Sequence, residues 1–184
     1  MTAAEISDEY QRNGRISGKA MLSLRALLRE SNDPYAAITL AGDVGAFQLA
    51  DDIAPHIDSA DSMVRWNAAG VLFTRFRDVR LSRLCLELLD RESDTLVRGI
   101  ALMGAGELLP LLEDQELRQG LATKLLQVLD AEDEFPEMRG SAYLGIEAAV
   151  GLPPADRSPA DRMLDPAKDF RQVVLDDFRR MYGL

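Results

Sequence analysis

Few side chains in this sequence have the type and spacing for chemistry. The single histidine, His56, lies in APHID, four residues after Asp52. An imidazole and a carboxylate on one helical face could form an acid–base pair or two ligands of a metal. One histidine excludes every site that needs two, and a lone titratable group seldom makes a site, so His56 reads first as a surface or packing residue. The single cysteine, Cys85, stands in LSRLCLELLD among Leu81, Leu84 and Leu88. That crowding predicts a core thiol, which behaves as a small hydrophobe. One cysteine also excludes an internal disulfide and a cysteine-built zinc site. No P-loop, GxGxxG or nucleophile-elbow pattern occurs. No catalytic residue, metal site or cofactor is assigned, and the chain is expected to be no enzyme.

Charge points to binding instead. The 184 residues carry 21 basic and 31 acidic side chains, a net charge of −10. A nucleic-acid binder needs a basic face to neutralise phosphates, and an anionic lipid surface makes the same demand. The balance therefore argues against both and favours a protein partner with a basic surface. The densest acidic run is DAEDEFPE, with Asp130, Glu132, Asp133, Glu134 and Glu137 around the apolar Phe135. It is either a solvated turn or a docking loop, its carboxylates steering association and Phe135 filling a pocket.

The elements that would position these residues are helices. Apolar spacing is helical along nearly the whole chain, and alternating strand patterns are absent. Three segments repeat: DSMVRWNAAGVLF from Asp61, SDTLVRGIALMGAGELL from Ser93 and EFPEMRGSAYLGIEAAV from Glu134. Val64, Val97 and Met138 align at offsets of 33 and 41 residues, each followed by an arginine (Arg65, Arg98, Arg139) and, four residues after the anchor, by alanine (Ala68, Ala101, Ala142). A weaker copy, DPYAAITLAGDV, starts at Asp33. Between copies lie AFQLADDIAPHID, DVRLSRLCLELLD and ELRQGLATKLLQVLD. Two helices recurring every ~30–45 residues are the signature of an α-solenoid.

The pattern L-x-x-L-L-D, short turn, Asp-x-x-Val-Arg-x-x-Ala resembles HEAT repeats, including the short bacterial kind of phycobilin-lyase-like proteins. LCLELLDRESDTLVRGIALMGAGEL and DIAPHIDSADSMVRWNAAGVL match best, and the resemblance spans about Asp33 to Leu152. It implies an all-α, HEAT-like α-solenoid of stacked antiparallel helix pairs, used as a binding scaffold. It supplies no catalytic residue. As a scaffold the protein would be an adaptor, or an inhibitor or immunity protein blocking a basic toxin or enzyme; the alternative is an enzyme-accessory or pigment-lyase-type factor.

Length argues for one α-helical domain over 1–184. Its expected parts are N-terminal helices over 1–32, repeats over 33–152, a loop over 153–164 and a C-terminal helix over 165–184. The stripe Phe170, Val174, Phe178 and Met181 would let that helix cap the stack. The first residues lack a signal-peptide apolar core and no run of 18 apolar residues occurs, so a cytoplasmic protein is expected.

Within the repeats, Arg65, Arg98 and Arg139 are either a structural ladder pairing with acids such as Asp61 and Asp94, or the lining of a groove for an anion. On a wheel at about 100° per residue, Trp66 and Phe73 fall opposite the stripe Val64, Ala68, Val71 and Leu72. The equivalent positions one repeat on are Gly99 and Gly106. Large side chains would interlock with small ones, or Trp66 would be an exposed anchor on the concave face. The candidate partner-binding set is Trp66, Arg65, Arg98, Asp130, Glu132, Asp133, Glu134 and Phe135. The acidic turns around Asp51–Asp52–Asp58–Asp61 and Glu87–Asp90–Glu92–Asp94 would extend it into a ridge.

Overall fold

A computed structural model describes residues 1–31, 33–159 and 164–184. Every regular element among them is helical. The Cα positions group into two compact units, Met1–Phe76 and Arg77–Leu184.

In the first unit, α1 (Ala3–Asn13) starts at a capping box: Thr2 Oγ1 accepts the Glu5 N–H, and the Glu5 carboxylate accepts the Thr2 N–H. It stops at Gly14, whose φ of 65° is the left-handed cap that glycine adopts without strain. Ser17 caps α2 (Gly18–Glu30). The helix ends at its cap, Ser31, within the expected N-terminal segment 1–32, and Asn32 lies outside the described residues. The Asp33 carboxylate accepts the Tyr35 N–H at the start of α3 (Tyr35–Asp43). The next expected helix, AFQLADDIAPHID, is broken: 3₁₀ turns at Phe47–Leu49 and Ala54–Asp58 flank a four-residue α4 (Ala50–Ile53). Pro55 has no N–H for an α-helical bond, so the chain tightens there. Asp61 caps α5 (Ser62–Ala69), which widens into a π-helical stretch over Gly70–Arg75.

That widening corrects the wheel. Wider winding advances each residue through a smaller angle, so Phe73 rotates back toward the Val64–Ala68 stripe and is fully buried rather than opposite it. Two polar groups also hold this core. Asn67 Nδ2 donates to the Tyr35 carbonyl at 2.9 Å and to Thr39 Oγ1 at 2.8 Å. Asp52, on α4, is gripped by Arg25 at 3.0 Å and Arg29 at 2.5 Å, one turn apart on α2.

The second unit contains α6 (Ser82–Arg91), α7 (Thr95–Leu108), α8 (Gln115–Asp130), α9 (Pro136–Ala149), α10 (Pro166–Asp169) and α11 (Gln172–Tyr182). Asp94, Asp114 and Asp165 cap α7, α8 and α10 through their carboxylates. The aligned anchors Val97 and Met138 and the aligned alanines Ala101 and Ala142 are buried, as Val64 and Ala68 are in the first unit. α7 lies along α9 and runs in the same direction. A Cβ on Gly99 would meet Ser141 and Met138, and one on Gly106 would run into the Gly145 carbonyl. The two backbones touch there because neither position has a side chain.

Of the expected loop 153–164, residues 160–163 lie outside the described residues, and Pro154–Asp156 form a 3₁₀ turn. The C-terminal helix is two pieces. The chain is extended at Phe170 and Arg171, so α11 starts afresh and its buried face is Val174, Leu175, Phe178 and Tyr182. Met181, expected on that face, is 58% exposed because Tyr182 takes the inward position. α11 packs on α8 and α9, and Tyr182 Oη donates to the Ala149 carbonyl at 3.2 Å. Tyr182→Phe should therefore cost about 1 kcal/mol in urea unfolding, whereas Met181→Ser should stay within about 0.5 kcal/mol.

Candidate partner-binding surface

The acidic run joins α8 to α9. α8 ends at Asp130, and Pro136, with its fixed φ and no N–H to satisfy, opens α9. Between them Glu134 turns inward. Its carboxylate pairs with Arg98 of α7 at 2.7 Å and is only 14% exposed, and it also accepts the Phe135 N–H at 3.1 Å. Arg139 Nε donates to the Leu129 carbonyl at 2.8 Å, closing the last turn of α8. Asp130 approaches Arg179 of α11 at 3.5 Å. Glu132 and Asp133 are exposed and have no ion pair among the described residues, and the Phe135 ring is 61% exposed.

The eight residues expected to bind a partner thus separate. Glu132, Asp133 and Phe135 form one exposed group. Glu134 and Arg98 face each other and hold the loop. Arg65 donates to the Ser59 and Ala60 carbonyls at 2.9 and 3.2 Å, the loop just before its own helix. All three repeat arginines fasten a loop or helix end. The acids proposed for them, Asp61 and Asp94, cap α5 and α7. Trp66 is half-buried on α5. Gly99 and Gly106, the small counterparts of Trp66 and Phe73, are filled by α9.

Many acids of the supposed ridge are engaged within the chain. Asp52 is held by its two arginines, Asp90 pairs with Lys124 at 2.5 Å, and the Glu92 carboxylate accepts the Ser93 and Asp94 N–H groups. His56 does not meet Asp52; its Nε2 lies 2.8 Å from the Leu28 carbonyl. Cys85 is fully buried, and burial pushes its thiol far above the ordinary range. Among the described residues, no group of three or more His, Cys, Asp or Glu could hold a metal ion.

One cluster escaped the sequence reading. Glu147 of α9 is completely buried and accepts from Arg171 at 2.7 Å, from the Ser158 N–H at 2.7 Å and from Ser158 Oγ at 2.9 Å. The Arg171 N–H donates to Tyr143 Oη, and the Tyr143 ring stacks on Phe170 at 4.3 Å. The available signal was a lone acid inside the apolar run YLGIEAAV. Its donors tie the Pro153–Ser158 segment and the break before α11 to α9.

These features define an all-helical chain, among the described residues, with an exposed acidic and aromatic loop. No family model, curated protein or solved structure matches it. No helix among the described residues is long and apolar enough to cross a membrane.

Proposed function

We propose that this protein is a non-enzymatic binding scaffold. In this reading its helices form a HEAT-like solenoid, and the α8–α9 loop docks a protein partner with a basic surface, as an adaptor or as an inhibitor of the immunity-protein kind. The observation that carries it is Phe135, exposed beside the exposed carboxylates of Glu132 and Asp133. A large ring left in water at the start of a helix gains free energy when a partner covers it. The carboxylates around it add steering, which raises association rates by ~10-fold or more and fades with salt. The parallel course of α7 and α9, with α8 between them in sequence, supports the solenoid.

The test begins with purification of the partner from the native host and continues with binding kinetics. A Glu132→Lys, Asp133→Lys double variant should slow association about tenfold at low salt, with little change in dissociation. Glu134 is left intact because it holds Arg98. Association indifferent both to salt and to the double reversal would refute docking through this loop.

A further inference from the structure

Leu96, in the first turn of α7, is as exposed as Phe135, at 61%. α7 and α9 run side by side in one direction, from Gly99 against Met138 and Ser141 to Gly106 against Gly145. Their N-terminal ends therefore lie at the same end of the pair. The Arg98–Glu134 ion pair binds these ends together, and the register that sets Gly99 on Met138 and Gly106 on Gly145, an offset of 39 residues in both cases, sets Leu96 level with Phe135. Exposed carboxylates flank Phe135 in sequence: Glu132 and Asp133 before it, and Glu137 in the first turn of α9. Two cations at these helix ends are occupied, Arg98 by Glu134 and Arg139 by the Leu129 carbonyl.

We infer that Leu96 and Phe135 together form a seat for one large apolar side chain of a basic protein segment, in which lysines or arginines flank that side chain. The inference rests on the proposed binding role of the loop and names what the loop recognises. Charge decides the occupant: a rim of three exposed carboxylates, with no ion pair among the described residues, repels an acidic segment and offers a neutral one no steering. Apolar contact at the centre with a polar rim is the anatomy of a binding hot spot. The Arg98–Glu134 pair holds the loop before the partner arrives, so less ordering entropy is lost on binding.

The test uses the full chain and two synthetic peptides. One has a single tryptophan between two pairs of arginines; in the other, glycine replaces the tryptophan. Amide chemical shifts are followed during titration with each. The tryptophan peptide should shift amides near Leu96 and from 132 to 137, and should bind at least tenfold more tightly than the glycine peptide. Leu96→Ser and Phe135→Ser should each remove most of that difference. Both residues are exposed, so thermal unfolding of the variants should match the parent. Equal affinity for the two peptides, no binding of either, or shifts centred elsewhere would overturn the seat. Salt-sensitive binding of both peptides that Glu132→Lys, Asp133→Lys abolishes would overturn the seat alone and leave the basic-partner reading standing.

Discussion

Replacing Gly106 with alanine is expected to destabilise the unit Arg77–Leu184 by about 3 kcal/mol or more, the upper end for overpacked cores. In an ordinary helix interior the same change stabilises by roughly 1 kcal/mol, because alanine restricts the unfolded chain and favours the helix. Here the new methyl would fall inside the Gly145 carbonyl, and backbone has no rotamer by which to yield. A methyl on Gly145 would likewise lie 2.5 Å from the Leu102 carbonyl oxygen. Gly120 of α8 supplies the contrast. Its methyl would meet only the end of the Leu86 side chain, at 3.0 Å, which can rotate away. Gly120→Ala should therefore be neutral or stabilising. Urea unfolding of the three alanine variants distinguishes the sites by sign, and a Gly106→Ala variant as stable as the parent would mean that the helices do not cross there.

Arg171→Met is expected to cost about 2–3 kcal/mol, below the range for a pair buried on both sides because the Arg171 side chain is 44% exposed while Glu147 is buried. Glu147 would remain fully buried with two donors from Ser158 and no other countercharge among the described residues. Removing the charge as well, in Glu147→Gln with Arg171→Met, should recover much of the loss, because an uncompensated charge costs more than an absent pair. The measure is the non-additivity in denaturant unfolding between the two single variants and the double. An Arg171→Met variant within about 1 kcal/mol of the parent would show that the Glu147 carboxylate reaches water.

What the sequence made legible was local. The repeat copies placed from Asp61 and Ser93 do mark the starts of α5 and α7, but Asp61 and Asp94, offered as partners for arginines, instead cap those helices through bonds to backbone two or three residues away. The anchors Val64, Val97 and Met138 and the alanines four residues on were legible because helical periodicity reports burial directly. The failures arose where packing or a backbone break reset the phase. Phe73 was misplaced because nothing in GVLFTR signals a wider winding, and Met181 because the extension at Phe170–Arg171 restarts the helix. At the candidate site, the composition of DAEDEFPE flagged the loop and its aromatic residue. It could not single out Glu134, which is distinguished only by Arg98 of another helix. Leu96 was hidden for a similar reason: its meaning depends on which helix end lies beside it.

The glycine crossing also divides the second unit into parts that can and cannot be redesigned. The register of α7 against α9 is fixed by backbone meeting backbone at Gly106 and Gly145. It does not depend on the length of chain that joins them. Extra residues in the turns at either end of α8 would lengthen a surface connection, and each doubling of a flexible loop costs only about 0.6 kcal/mol. The α8–α9 loop could thus be lengthened ahead of Glu134, with its pair to Arg98 kept, while positions 106 and 145 tolerate no side chain.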